Sequence, residues 1–480
     1  MNDAHRVLDG LTRRHFLRHC QVGLGGVALA ALQGGLQGAV RGLTADRHPR
    51  PHHRPRAKRV IYLHMAGSPP QQDLFDPKPK LTALDRQPCP DEFLRGERFA
   101  FIKGHPKLLA SPYCFAQHGD SGAWVSELMP HFAEVVDRVL FVKSMHTDQF
   151  NHAPAQMMMF SGSPRFDRAS MGAWALYGLG SANDNLPGFV VLVSGGKFPS
   201  AGKSLWGSGF LPTVYQGAQL RSIGDPVLYL SDPPGMDRGV RRRSLDALGD
   251  LNAAHANAAG DPETETRIAQ YELAFRMQMS VPEVTDLSRE SAATLALYGA
   301  DPARPSFANH CLLARRLVEQ GVRFVQLFDW GWDTHGTGRK DDLVHQLPRK
   351  CRQTDRPIAA LLLDLERRGL LEDTLVVWGG EFGRTPMNEE RNGSKFLGRD
   401  HHPHCFTVWL AGAGLKQGVS IGATDELGYH ITDDPVHVHD LQATILHLLG
   451  CDHEQLTYRY QGRDFRLTDV AGTVRRDWLA

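Results

Sequence analysis

Leu375 to His404 reads LVVWGGEFGRTPMNEERNGSKFLGRDHHPH. Its first four residues have the length and β-branched content of a strand buried on both faces, and Gly379 and Gly380 then permit a tight exit. Glu381 and Arg384 follow at once, and further turn signals lead to Asp400, His401, His402 and His404. In an open α/β sheet, ligands bind beyond the carboxyl ends of the strands, so this order predicts a strand that delivers Glu381 to a site. The same residues also suit an ordinary ion pair and a surface loop decorated with histidines.

The pattern recurs on both sides of this stretch. Arg59 to Gly67 reads as a strand ending in a glycine turn, with Asp73 soon after it. Val139 to Val142 is a second strand that runs into Asp148, Asn151 and His152, followed by a helix over 153–160. Helices are expected over 124–136, 170–179, 306–321, 343–368 and 441–449, and strands over 188–193, 322–328, 406–410 and 419–421. The strand at 322–328 stops at a turn holding Asp333 and His335. Residues of about 240–300 turn helical and charged, as an insertion or cap would. Gly195 to Gly217, glycine-rich with Trp206 and Phe210, suits either a loop over a pocket or a packed surface excursion. Strands alternating with helices, with the polar motifs placed after strands, argue for an α/β fold with a mostly parallel sheet between helices.

Composition narrows the partner. With 54 Lys+Arg against 53 Asp+Glu the net charge is +1, so nothing global points to nucleic acid, and a small partner is expected. Seven cysteines lie without any CxxC spacing, which indicates neither a cysteine-ligated zinc site nor a disulfide framework. At the amino end, Arg13-Arg14 precedes an apolar run from Val22 to Leu32, which is too short and glycine-rich for a stable membrane span. Residues 1–44 therefore read as a twin-arginine export signal and 45–58 as a flexible linker, leaving 59–480 as the working domain. Export by that route predicts a periplasmic or extracellular protein.

The chemistry lies in four clusters: His146/Asp148/His152, Asp333/His335, Glu381 with Asp400/His401/His404, and His437/His439/Asp440. A lone His–Asp pair is often only a hydrogen-bonded support, but four of them after strands point to one or two divalent ions. Imidazole with carboxylate suits zinc, manganese or iron. Arg384 would bind an anionic group of the substrate.

Asp73-Leu-Phe-Asp-Pro-Lys, Trp332-Asp-Thr-His-Gly, Gly380-Glu-Phe-Gly-Arg-Thr-Pro, Gly398-Arg-Asp-His-His and Asp440-Leu-Gln-Ala-Thr-Ile-Leu-His-Leu-Leu-Gly together resemble the sulfatase-like family known as domain of unknown function 1501. The resemblance runs in order from residue 59 to the end. It implies an alkaline-phosphatase-like three-layer sandwich whose active relatives hydrolyse phosphate or sulfate esters with divalent metals, here zinc, manganese, calcium or iron. It implies Asp73, Asp333, His335, Glu381, Asp400, His401 and His439 as metal ligands, and Asp148, Glu381 and Arg384 as catalytic residues. A small-molecule or glycan ester is the implied substrate, and other exported proteins are a second class of partner. The chain also departs from the pattern. It lacks the C/S-x-P-x-R segment from which sulfatases make their nucleophile, Asp148 occupies the nucleophile register of phosphodiesterase relatives, and Glu381-Phe382-Gly383 stands where active relatives have Asp-His-Gly. Asp400-His401 is the candidate replacement for that missing histidine. An enzyme and a catalytically altered binding or structural protein both remain open readings.

Overall fold

A computed structural model describes residues 51–480 except 95, 97–98, 222–225, 227–236, 260–270, 273–274 and 278–279. The expected export signal and the first part of the linker lie outside the described residues, as does part of the expected helical insertion.

Nine strands form one central sheet: β1 (Arg59–Ala66), β2 (Val139–His146), β3 (Phe189–Ser194), β4 (Ala218–Gln219), β5 (Phe324–Trp330), β6 (Thr374–Gly379), β7 (Phe406–Ala411), β8 (Val419–Ile421) and β9 (Val436–His437). The spatial order is β8-β2-β7-β6-β1-β5-β3-β4, with β9 also paired to β2. β7 runs antiparallel to both neighbours, β6 and β2, while the other pairings are parallel. The carboxyl ends of β1, β2, β5 and β6 therefore face the same side, and the loops that follow them meet there.

Strand periodicity builds the two cores. Along β1, Ile61, Leu63 and Met65 enter one buried cluster, while Val60 and Tyr62 enter the other. The first cluster is covered by α3 (Phe307–Glu319) and α4 (Gln346–Arg367); the second by α1 (His152–Ser161), α2 (Met171–Leu179) and α5 (Val438–Leu448). Each fully buried Leu, Val or Phe favours the folded chain by roughly 1.5–3 kcal/mol relative to an exposed one. This is a three-layer α/β/α sandwich with a mostly parallel sheet, the architecture expected from the strand–helix alternation.

Two sequence expectations change, and one open alternative is decided. The helix expected over 124–136 is instead a strand, Ala123–Ser126, paired antiparallel with Phe115–His118, and a single helical turn, Pro130–Ala133. Buried Ala123 and Val125 flank exposed Trp124, and that period of two wins over helix propensity. The described part of the supposed linker is tied down: His52 and Ala57 each donate a backbone hydrogen bond of 2.8 Å, to Gly450 and Leu448 at the end of α5. Trp206 is buried against Phe328, with ring centroids 5.7 Å apart, so its loop is a packed excursion and presents no indole to a partner. Within the expected insertion the described residues include helices Arg238–Ala259 and Ala292–Tyr298.

Candidate metal centre

Three imidazoles and one carboxylate meet beyond the carboxyl ends of β2, β5 and β6. His152 is the first residue of α1, reached by a short turn from β2. Asp333 and His335 lie in the loop after β5, and His401 sits on a two-residue strand that pairs antiparallel with Gly383–Arg384 after β6. Around Asp333 Oδ1, Nε2 of His335 stands at 2.9 Å, that of His152 at 3.2 Å and that of His401 at 3.5 Å. One ligand atom from each of these four residues lies within 4.8 Å of the others.

The second nitrogen of each ring explains why Nε2 points inward. His152 Nδ1 donates to Glu381 at 2.7 Å, His335 Nδ1 donates to Glu389, and His401 Nδ1 donates to the Phe150 carbonyl at 2.8 Å. A carboxylate or carbonyl oxygen can only accept, so in neutral His152 and His401 rings the proton is on Nδ1 and the lone pair on Nε2, while Nδ1 of His335 meets both Glu389 and the Arg391 guanidinium, the latter at 3.0 Å. Carboxylate–histidine pairing of this kind orients metal-binding imidazoles. Among the described residues the buried His152 Nε2 has no well-formed hydrogen bond, although Asp333 Oδ1 is 3.2 Å away. A buried imidazole nitrogen facing a carboxylate and two further imidazoles fits a divalent cation that would replace its proton, and a His3Asp donor set suits zinc, manganese or iron.

The electrostatics agree. Burial would raise the Asp333 carboxyl, yet Arg384 and the three histidines hold it far below the usual carboxylate range. Burial would lower His152, but Asp333 and Glu381 on its two sides push it up to about 9. His401 is pushed down to about 3, first by burial and then by the cations near it, with Asp333 opposing. Without a metal, the His152 proton and the Arg384 guanidinium balance the charge of Asp333.

Glu381 stands one step behind the cluster. Fully buried, it accepts from His152, from Gln156 Nε2 at 3.0 Å and from the Gly67 backbone at 3.1 Å, and His64 Nε2 lies 3.1 Å away. Burial raises its carboxyl, but His152 and His64 outweigh that and hold it below the usual range. Gly67 is required here: its φ is +108°, and a Cβ would lie 2.5 Å from the Asp333 nitrogen. Glu381→Gln keeps the shape but weakens its hold on His152. A loss of about 10–100-fold in metal affinity is expected, read by chelator competition, with secondary structure unchanged by circular dichroism.

The other expected site residues are placed elsewhere. Asp73 is not free for a metal: both its oxygens receive Arg399, at 2.7 and 3.0 Å, and both residues are fully buried. Asp400 accepts from the backbones of Phe101, Ile102 and His401, and with Glu389 and His335 it forms a second group of possible ligands, whose ligand atoms lie within 4.8 Å of one another and which adjoins the first through His335. Burial, with Glu389 nearby, raises its carboxyl against those backbone donors. Arg384 does not face a substrate; it is fully buried, donating to the carbonyls of Ser68, Gly67 and Arg399 and to Asp333. His439 Nε2 donates to the Gly162 carbonyl at 3.0 Å, and the neighbouring His437 and Asp440 form the capping box of α5. Asp148 is an exposed partner of His437 at 3.3 Å. His152 stands in one of the sequence's four clusters but not among the ligands that the resemblance implies, and the supporting Glu389 stands in neither. His152 carried a signal, since it follows a strand and opens a helix; Glu389 carried none, being 54 residues from its partner His335.

A family model described as protein of unknown function (DUF1501) matches residues 57–479. The chain belongs to that family. No curated protein matches this DUF1501 chain. Solved structures with some likeness to it include the PsFucS1 sulfatase from Pseudoalteromonas sp., at 11% identity over 86% of this chain and 70% of that one, with a TM-score of 0.35. A protein of the alkaline phosphatase superfamily from Vibrio parahaemolyticus shows 10% identity over 90% of this chain and 74% of its own, with a TM-score of 0.38. Alkaline phosphatase from the Antarctic bacterium TAB5 shows 10% identity over 82% of this chain and 98% of that one, with a TM-score of 0.29.

Proposed function

We propose that the chain is an exported, metal-dependent hydrolase of phosphate or sulfate esters, working in the periplasm or outside the cell. The observation that carries this reading is the convergence of His152, His335, His401 and Asp333, each imidazole turned inward by an acceptor on its other nitrogen. These four residues would hold the ion. A divalent ion in such a place supplies Lewis-acid polarisation of an ester oxygen and acidifies water. The chain's own groups do the rest. Glu381 and Glu389 fix the rings, Arg384 offsets the charge of Asp333, and Phe382, with its ring centroid 4.5 Å from His401 and 5.0 Å from His152, shields that side from water. The Asp333 side chain keeps 26% of its surface exposed, lining an open cavity through which an ester can arrive.

The experiment is metal analysis of the purified mature chain, followed by a panel of phosphate, phosphonate and sulfate esters. At least one bound transition metal per chain is expected, with ester turnover that disappears in His335→Ala. A chain purified without stoichiometric metal, and unable to take it up, would sink the proposal. A second reading, a binding protein on the same fold, is favoured by the position of Asp148. In the nucleophile register it is exposed and paired with His437, well occupied by support of a neighbouring helix start. Metal uptake without turnover on any ester would favour that second reading.

A further inference from the structure

The open cavity at Asp333, about 620 Å³, shares Lys197, Trp330, Gly331 and Lys340 with a larger one of about 930 Å³ that runs between the end of β3 and the amino-terminal half of α4. The two make one groove leading away from the metal centre. Its wall is basic in a chain whose net charge is only +1. Lys197, Lys340, Arg349 and Arg352 are exposed along it and, among the described residues, have neither an ion pair nor a hydrogen bond. Of the acidic side chains along it, Asp329 is already neutralised by Lys350 at 2.6 Å and receives Trp332 Nε1 at 3.0 Å, Asp341 accepts from the Thr337 hydroxyl and the Gly338 backbone, and Asp333 belongs to the metal centre. His310 adds a further polar group: it is 4% exposed, lines the groove, and its Nδ1 has no hydrogen-bond partner among the described residues.

Unpaired cations ordinarily spread over a surface to limit their repulsion. Four gathered on one concave wall focus a positive field, and the field is strongest for a ligand that enters the groove. We infer that the substrate is a polyanion: an oligosaccharide bearing several sulfate or phosphate esters, one presented at Asp333 and the others held by Lys197, Lys340, Arg349 and Arg352. This rests on the hydrolase reading and adds the substrate class. Single-stranded nucleic acid fits less well, because proteins that bind it pair a basic groove with stacking aromatics. Here Tyr298 and Phe307 are buried, at 0% and 4% exposure, which leaves the half-buried Trp330 as the platform.

The test uses the full mature chain and a triple variant, Lys340→Glu, Arg349→Glu, Arg352→Glu, none of which belongs to the metal centre. Binding of a fully sulfated hexasaccharide, its phosphorylated counterpart, the unsulfated hexasaccharide and a single-stranded oligonucleotide is measured by calorimetry at low and high salt, with and without chelator. The expected result is binding of a charged hexasaccharide that weakens at least about tenfold in the triple variant and at high salt. The sulfated and phosphorylated probes show which ester the groove prefers. No measurable affinity is expected for the unsulfated sugar. Circular dichroism and metal content of the variant should match those of the parent. Equal affinity in parent and variant, or tighter binding of the oligonucleotide than of either charged sugar, overturns the inference. Charged-sugar binding that survives chelation and fails in the variant supports it, even for a chain that holds no metal, so the groove and the metal centre stand or fall separately.

Discussion

Asp333→Asn is expected to abolish stoichiometric metal binding while leaving the fold intact. All three imidazoles direct Nε2 at Oδ1 of this residue, so it is the point on which the donor set is built. The amide keeps the volume but removes the charge, and it leaves Arg384 and His152 as two uncompensated cations facing the would-be ion. Changes in the residues behind metal ligands typically cost 10–100-fold in affinity, so loss of the central ligand should cost more than about 100-fold. Competition with a graded series of chelators measures this directly. The local fold should tolerate the change because Arg384 is anchored independently, by the carbonyls of Ser68, Gly67 and Arg399. Unaltered metal affinity in Asp333→Asn would mean that the four side chains are no more than a buried polar network.

The contrast between what the sequence displays and what it conceals follows from the same geometry. Asp333 and His335 are legible because they follow β5 closely and the parallel sheet gathers such positions at one edge, whereas His401 lies a long loop beyond β6 and is legible from its Asp-His-His run. The β-strands themselves were readable because their apolar runs are short and bounded by glycine turns. What the residues could not show is which acid belongs to which base. Asp73 looked like a ligand from its place after β1, but its partner Arg399 is 326 residues away, and only the folded chain brings the two into contact. Glu381 looked like a ligand for the same reason, yet His64, Gln156 and Gly67 surround its carboxylate on the far side of His152. The misplaced helix at 124–136 has a local cause: the turn at Gly119–Gly122 commits Phe115–Ser126 to a hairpin, and pairing within that hairpin satisfies backbone groups that a helix would have claimed.

The Asp73–Arg399 pair carries the largest expected effect on stability. Both side chains are fully buried, and the guanidinium meets the two carboxylate oxygens in a fork while also donating to the carbonyls of Leu109 and Thr385. Arg399→Met therefore strands a carboxylate in the interior and leaves two buried carbonyls without a donor. A loss of about 3–5 kcal/mol is expected, because an unpaired buried charge costs far more than the pair contributes. The damage should reach the metal centre, since Arg399 lies two residues before His401 and its own carbonyl receives Arg384. Chemical denaturation gives the first quantity and chelator competition the second. If the loss arises from the stranded charge, adding Asp73→Leu to Arg399→Met should restore much of the stability, because no ion is then left in the core. If it arises instead from the freed carbonyls of Leu109 and Thr385, the double variant will be no more stable than Arg399→Met alone. The same comparison separates two roles of this arginine in the centre: a double variant that regains stability but not metal affinity would show that Arg399 also holds the His401 loop in place.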